Sequence, residues 1–363
     1  MQSNSPSRYD NEGYSALDIP TSAAVAYLRE RAATSAARNT ARDQALTEAR
    51  RLLLVTDATC DLPSAWLRDH NVAVIPVDIR QNDQTTRDFR DEVQCSEFAL
   101  QLSTSNNRDV LSSEPLQPVQ IRDHVQAWMN NDIDNVMQVT FAASRSKHYL
   151  SSLAATQSLV LIHNKVRRSM GNRAPLRAWV LDSQTGLTGE ALLLAHAVYL
   201  RDRGTEAAAI AEAVKQLRGN VHTLLVPGDL RYLYQALQLK GDRDLPRWKL
   251  LLGRWLDIRP LLYAGRNDVH SVARVRGAPA AIALALARVT RHVELGLSTP
   301  TVCVSYAGDL EALFTQPAFT TLRDECRRRR VELISTTMSM TGCVKLGPAA
   351  LSISFASERF LPA

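Results

Sequence analysis

The sequence predicts an α/β fold in which mostly parallel sheets are flanked by helices. Short, continuous apolar runs recur along the chain, as they do in parallel strands that are buried on both faces. Segments with helical periodicity lie between most of these runs, and this alternation is typical of α/β layers. The chain has 363 residues, which is long enough for two domains.

The N-terminal segment, residues 1–50, is expected to be an extension of the main body. Its first 18 residues are polar and are expected to be disordered. Ser22–Arg51 is rich in Ala, Arg, Glu and Leu and contains no Gly or Pro, which predicts a helix. Apolar residues recur in this helix at intervals of three and four. They form one stripe that could pack on the body or on a second subunit.

The remaining chain divides into predicted strands and helices. The apolar runs at 52–55, 72–75, 136–139, 178–181, 221–226, 300–304 and 331–334 predict strands, and the patterns at 146–168, 187–203, 205–217 and 278–295 predict helices. Gly219 and Asn220 follow one of these helices and are typical of a helix C-cap. We therefore expect a first α/β domain at 51–218 and a second at 219–363.

The composition excludes several classes of protein. No apolar run approaches the length that crosses a bilayer, so we do not expect an integral membrane protein. The polar start lacks the apolar core of a secretory signal, which favours the cytoplasm. The five cysteines are scattered and form no C-x-x-C pair, which argues against a disulfide framework and a zinc site. The net charge of +6 is not clustered enough to predict a nucleic-acid partner.

The usual signatures of nucleotide, zinc and serine-hydrolase sites are absent from the sequence, so no metal, cofactor or catalytic residue is predicted. The remaining candidates are polar residues at strand ends, where ligands bind in α/β folds. Asp57 and Thr59 directly follow the first predicted strand. Asp61 precedes Leu62-Pro63 and is expected to be the N-cap of a helix.

Six motifs, in the same order, resemble those of the DegV family. This family consists of cytoplasmic bacterial fatty-acid-binding proteins and includes the acyl-carrying subunits of fatty-acid kinase systems. The motifs are V-T-D-A-T-C-D-L-P at 55–63, V-I-P-V at 74–77, L-S-S-E-P at 111–115, V-L-D-S at 180–183, L-D-I-R-P at 256–260 and G-P-A-A-L at 347–351. The resemblance implies a two-domain DegV-like fold. The first domain, 51–218, holds a long-chain fatty acid in a tunnel, and the second, 219–363, closes the cleft, with the carboxylate near this interdomain cleft.

The resemblance also implies which residues bind the ligand. Ser112 and Ser113 lie in the third motif, and Ser146 stands where the family has S-G-T at a helix start. Lys345 replaces a family histidine, whereas Asp57 and Thr59 belong to the first motif. Without a ligand role, Ser112 and Ser146 would be N-cap or loop residues, and Lys345 would be a solvent-facing lysine before Gly347.

Three departures from the family pattern indicate a cationic but rebuilt head-group pocket. Lys147 and His148 replace the Gly and Thr of S-G-T, and Lys345 replaces the histidine. The segment at 240–244, K-G-D-R-D, replaces K-G-G-R-I, which the resemblance associates with the kinase step.

Three hypotheses for the function follow from these observations. The first is a non-catalytic carrier of a long-chain fatty acid or similar amphiphile, with a fatty-acid kinase subunit as a potential partner. The second is a kinase-independent regulatory or interaction module with a remodelled head-group site. The third and least favoured is an acyl hydrolase or transferase that uses Ser146 with His148 or Lys147.

Overall fold

The computed structural model describes residues 51–104, 111–129, 132–171, 174–238 and 257–360. The predicted N-terminal extension, residues 1–50, and the altered segment at 240–244 lie outside the described residues.

The described elements alternate between strands and helices along much of the chain. The strands are β1 (Leu52–Asp57), β2 (Val72–Ile75), β3 (Val77–Gln81), β4 (Gln84–Asp88), β5 (Leu111–Pro115), β6 (Asn135–Thr140), β7 (Arg177–Asp182), β8 (Val221–Val226), β9 (Ile258–Gly265), β10 (Asp268–Arg276), β11 (Thr301–Tyr306), β12 (Glu332–Thr337) and β13 (Leu351–Ala356). The helices are α1 (Ser64–Asp69), α2 (Glu92–Thr104), α3 (Pro118–Trp128), α4 (His148–Ser169), α5 (Thr188–Arg201), α6 (Ala207–Leu217), α7 (Leu230–Gln238), α8 (Ala278–Leu295), α9 (Leu310–Phe314), α10 (Pro317–Arg329) and α11 (Met340–Leu346).

The first sheet is parallel throughout and has the strand order β2-β1-β6-β7. Successive side chains of β1 point to opposite faces. Leu53 and Val55 pack with α3 and α4, whereas Leu52 and Leu54 pack with α5 and α6. Both faces are therefore covered by helices, which explains the continuous apolar run. The prediction of an α/β fold with parallel strands is confirmed for this sheet.

A small antiparallel sheet with the order β4-β3-β5 lies beside the first and was not predicted. Its strands mix polar and apolar residues and lack the continuous apolar runs of β1 and β6. Ser112 lies opposite Arg80 and Ser113 opposite Ile79 in this sheet. Both serines are therefore strand residues, and the alternative of an N-cap or loop serine is wrong for Ser112.

The second sheet has six strands in the order β10-β9-β8-β13-β11-β12. Only β11 and β12 pair in parallel, and the other neighbours are antiparallel. The expectation of mostly parallel strands is wrong for this sheet, because an apolar run that is buried on both faces does not encode strand direction. A short 3₁₀ turn at Arg218–Asn220 separates α6 from β8, at the position of the predicted domain boundary. The division into two domains stays a prediction.

Helix α5 lies between the first and second sheets and is almost completely buried. Its Leu192 and Leu194 share a core with Leu54 of β1 and with Cys303 of β11. One continuous apolar core therefore extends from one sheet to the other through this helix.

A fully buried arginine, Arg90, joins segments that are distant in the sequence. Its Nε donates to the carbonyl of Cys60 at 3.2 Å. Its Nη2 donates to Thr336 Oγ1 at 2.9 Å and to the carbonyl of Thr337 at 2.6 Å. The guanidinium thus connects the loop after β1 with the end of β12.

Two buried carboxyl groups, Asp61 and Asp88, lie near Arg90 and bind the start of α11. Asp88 accepts from the backbone N–H groups of Arg90 and Met340, at 2.8 and 3.0 Å. Asp61 accepts from the N–H of Ser339 at 3.0 Å. Burial raises the pKa of both groups, that of Asp88 to about 6, and the positive charge of Arg90 opposes this rise.

The prediction that Asp61 is a helix N-cap is wrong. Helix α1 has Pro63 at its N-cap position and no side-chain cap there. Glu92 of α2 instead accepts from the N–H and the hydroxyl of Ser64 in the first turn. The carboxylate of Asp61 faces the core because Ser339 offers it a buried donor from a distant part of the chain.

Two other observations concern disulfide bonds and membrane-spanning helices. The five cysteines are buried and form no disulfide. None of the described helices combines the length and the hydropathy that a membrane-spanning helix requires.

Replacing Arg90 with methionine should strongly destabilise the fold. The change leaves Asp61 and Asp88 buried without their cation, which typically costs about 3 to 5 kcal/mol. Urea denaturation of the purified variant at neutral pH measures this loss. The loss should be smaller at pH 5, because protonated carboxyl groups no longer need a counter-charge.

The matched control is Arg87→Met, which removes an arginine that pairs with Asp78 nearer the surface, at 2.7 Å. A pair of this kind contributes at most about 1 kcal/mol. Equal losses of unfolding free energy in the two variants would contradict the importance of the buried cation.

Candidate functional site

Asp57 is the last residue of β1, and its side chain is fully buried near the end of β6. Its carboxylate accepts from the backbone N–H of Thr59 at 2.9 Å and from the Thr59 hydroxyl. It also accepts from the N–H of Phe141 at 3.3 Å. Asp57 therefore joins the loop after β1 to the segment that follows β6, as expected for residues at the carboxyl ends of neighbouring parallel strands.

A second buried carboxyl group, Glu190 of α5, lies next to this pair. The hydroxyls of Thr56 and Thr59 each lie 3.0 Å from its carboxyl oxygens. Burial, together with the charge of Asp57, raises the pKa of Glu190 well above its usual value. This shift favours the neutral form of the Glu190 carboxyl group.

Sequence analysis missed Glu190. A lone acidic residue among the Ala and Leu residues of a helix that is apolar all round is the signal that would have found it.

His148, which replaces the Thr of the family's S-G-T, places an imidazole beside Asp57. His148 is the first residue of α4, and its Nε2 lies 3.4 Å from the nearer carboxylate oxygen of Asp57. The contact lacks hydrogen-bond geometry, so Nε2 has no hydrogen-bond partner among the described residues. The hydroxyl of Ser146 accepts from the backbone N–H of His148 at 3.2 Å. The imidazole thus faces Asp57 and forms no hydrogen bond with Ser146.

Four of the six predicted ligand-binding residues line one open cleft of about 850 Å³. They are Ser112, Ser113, Ser146 and Lys345. Strand β5 supplies the first two, the turn before α4 supplies Ser146, and the last turn of α11 supplies Lys345. The other two, Asp57 and Thr59, are buried. They line neither this cleft nor the apolar cavity that adjoins it. Their contact with a ligand stays a prediction.

Lys345 is half-buried in the last turn of α11 rather than exposed on the following loop. Its Nζ lies 5.3 Å from the centre of the Phe141 ring. Burial and the neighbouring charge of Arg145 lower its pKa to about 8, while the charge of Asp57 opposes the shift. Nζ forms no ion pair or hydrogen bond within the described part of the chain. It is a partly desolvated cation at the surface of the cleft.

An apolar cavity of about 120 Å³ adjoins the cleft, and Arg145 and Lys345 line both spaces. Its walls are mainly apolar and come from both sides of residue 218, including Leu187 from the first part and Leu225 and Leu262 from the second. The arrangement is an apolar recess with two cations at its mouth and a polar cleft outside.

The described residues contain no candidate metal site. No three of their His, Cys, Asp or Glu side chains lie close enough together to bind one metal ion.

Comparison with known proteins gives a consistent assignment. The family model for uncharacterised proteins of the DegV family matches residues 51–358. A DegV domain-containing protein of Xanthomonas axonopodis pv. citri is 32% identical over 308 residues, which cover 85% of this chain and 98% of that protein.

Solved structures of low sequence identity share the fold. A fatty-acid-binding DegV family protein of Thermus thermophilus aligns with a TM-score of 0.63 and 20% identity, over 85% of this chain and 99% of that one. The Fatty Acid Kinase B3 protein of Streptococcus pneumoniae, loaded with linoleic acid, aligns with a TM-score of 0.63 and 15% identity, over 84% of this chain and 99% of that one. The family model and the Xanthomonas relative together show that this chain belongs to the DegV family.

Proposed function

We propose that this protein is a non-catalytic carrier of a long-chain fatty acid or a similar amphiphile. The observation that carries the proposal is the meeting of an apolar cavity and a polar cleft at Arg145 and Lys345. An amphiphile has the complementary arrangement, with an apolar chain and an anionic head. The fatty acids bound by the Thermus and Streptococcus relatives support the same ligand class.

The energetics of such a ligand suit this site. Each methylene that leaves water contributes about 0.8 kcal/mol, so the chain supplies most of the affinity and the head group needs few partners. Burial and, after it, repulsion from Arg145 lower the pKa of Lys345, and a carboxylate between the two cations would offset both effects. Ser112, Ser113 and Ser146 would add hydrogen bonds from the cleft.

The similarity to the Fatty Acid Kinase B3 protein suggests that this carrier presents its ligand to a fatty-acid kinase. The bulky side chains of Lys147 and His148 at the start of α4 favour the alternative of a kinase-independent regulatory module. Reconstitution with a fatty-acid kinase and ATP distinguishes the two, because efficient phosphorylation of the bound lipid would exclude the alternative.

The absence of a hydrogen bond between Ser146 and the His148 imidazole weakens the third hypothesis of a hydrolase.

The carrier function predicts that protein purified from cells contains lipid. Native mass spectrometry should find up to one fatty acid per chain. Delipidated protein should bind again when it is incubated with fatty acids of 14 to 18 carbons. Protein that is empty when isolated and stays empty after this incubation would refute the proposed function.

Substitution of Lys345 by alanine should weaken fatty-acid binding by about 1.5 to 3 kcal/mol, as expected for a hydrogen bond to a charged group. Titration of the variant with a fluorescent fatty acid measures the loss, and thermal unfolding checks that the fold is retained. Lys147→Ala is the matched control, because Lys147 is exposed on the rim of the same cleft. A Lys345→Ala affinity within twofold of the wild type would show that the head group is held elsewhere.

Fatty-acid affinity should fall above about pH 8. The pKa of Lys345 in the free protein is lowered to about 8, and a bound carboxylate favours the charged ammonium and raises that pKa. Affinity should therefore be constant just below pH 8 and approach a tenfold fall per pH unit above it. The fall should disappear in Lys345→Arg, because arginine stays charged over this range. An identical pH profile in this variant would exclude Lys345 as the titrating group.

A further inference from the structure

We propose that the apolar cavity selects acyl chains that carry an oxygen substituent, a hydroxyl or keto group, over unsubstituted chains. This inference rests on the proposed fatty-acid-binding function and specifies its ligand class. It starts from a polar feature in the cavity wall that carboxylate binding does not use.

Five buried hydroxyl groups form a continuous chain of hydrogen bonds between α5 and the second sheet. Thr185 contacts Thr223 at 3.0 Å, and Thr223 contacts Ser354 at 2.8 Å. Thr188 contacts Ser354 at 2.7 Å and Ser352 at 2.6 Å. All five side chains are buried. Thr185 and Ser352 are the two ends of the chain.

The hydrogen bonds of this chain leave one proton unused. Five hydroxyls carry five protons, but only four hydrogen bonds connect them, and no further partner for these hydroxyls exists among the described residues. The unused proton belongs to the one hydroxyl that only accepts, and the count alone allows any of the five. At Thr188, Ser352 or Ser354 it would be buried without an acceptor, which is unfavourable. Thr185 and Thr223 line the apolar cavity, where a ligand atom can accept the proton, and donation from Thr185, the end of the chain, keeps all four hydrogen bonds running in one direction.

The first turn of α5 favours the same direction of donation. A Cβ atom on Gly189 would lie 2.5 Å from Thr185 Oγ1 and 2.4 Å from Thr223 Oγ1, so both oxygens pack against this turn. The N-terminal end of a helix carries a partial positive charge. It attracts the hydroxyl oxygens and leaves their protons pointing away from the helix. Consecutive hydrogen bonds in one direction also polarise one another, which strengthens the final donor.

The alternation of side chains on β13 indicates that its buried hydroxyls have a role beyond packing. Ser352 and Ser354 share one face of the strand. Ile353 and Phe355 point the other way into an apolar core. Leucine or valine at the serine positions would pack against α5 without any need for matched hydrogen bonds. The strand instead supplies hydroxyls that lead to a donor in the cavity wall.

The test compares the affinity of stearate with that of a series of oxo- and hydroxystearates that differ in the position of the oxygen. Displacement of a fluorescent fatty acid from the full chain measures each dissociation constant. At least one positional isomer should bind about three- to tenfold more tightly than stearate, as expected for one additional neutral hydrogen bond. That isomer also gives the depth of Thr185 along the bound acyl chain.

Thr185→Val removes the terminal hydroxyl while keeping the shape of the side chain. It should reduce the preference for the oxygenated isomer, and the double variant Thr185→Val/Thr223→Val, which removes both hydroxyls of the cavity wall, should abolish it. The matched control is Thr341→Val, which removes a buried hydroxyl that has no hydrogen-bond partner among the described residues and lines neither the cleft nor the apolar cavity. This control should keep the preference.

Two results would overturn the inference while leaving the carrier function intact. One is that stearate binds but no isomer binds more tightly. The other is that the preference survives in Thr185→Val/Thr223→Val. If neither stearate nor any isomer binds, the proposed carrier function fails, and the inference fails with it.

Discussion

The position of the cleft depends on the burial of one cation, Arg90. Its guanidinium binds the loop after β1 and the end of β12, and the neighbouring carboxyl groups of Asp61 and Asp88 bind the backbone at the start of α11. A buried charge is tolerated only where its partners are fixed. Helix α11 therefore begins at one place, and Lys345, near its other end, is brought to the mouth of the apolar cavity.

A second buried group, Glu190, affects the charge beside the cleft. This carboxyl lies beside Asp57 in a desolvated space, where two negative charges would repel each other strongly. Burial and the charge of Asp57 raise the pKa of Glu190, which favours its neutral form. A neutral Glu190 adds no negative charge to oppose Arg145 and Lys345, which line the cleft. The acid inside α5 thus affects the cleft without lining it.

The sequence allowed the first sheet and part of the site to be predicted. The apolar runs of β1 and β6 are visible because both faces of these strands are buried. Ser112, Ser146 and Lys345 were found through the family resemblance, and they lie in one cleft although they are far apart in the chain.

The remaining features depend on contacts that no local pattern records. Arg90 and Glu190 acquire their roles from partners that are distant in the sequence, so periodicity could not identify them. The β4-β3-β5 sheet lacks long apolar runs, and the direction of the strands in the second sheet leaves no trace in their composition.

The place of β13 has a consequence for how the chain folds. This strand is the last one described, yet it lies in the interior of the six-stranded sheet, between β8 and β11. During synthesis, β8 and β11 are made before the strand that joins them. Their facing edges stay unpaired in the meantime, and exposed edges favour association with other chains. Folding of this sheet therefore cannot be completed before β13 has been synthesised, and the edges of β8 and β11 need protection until then.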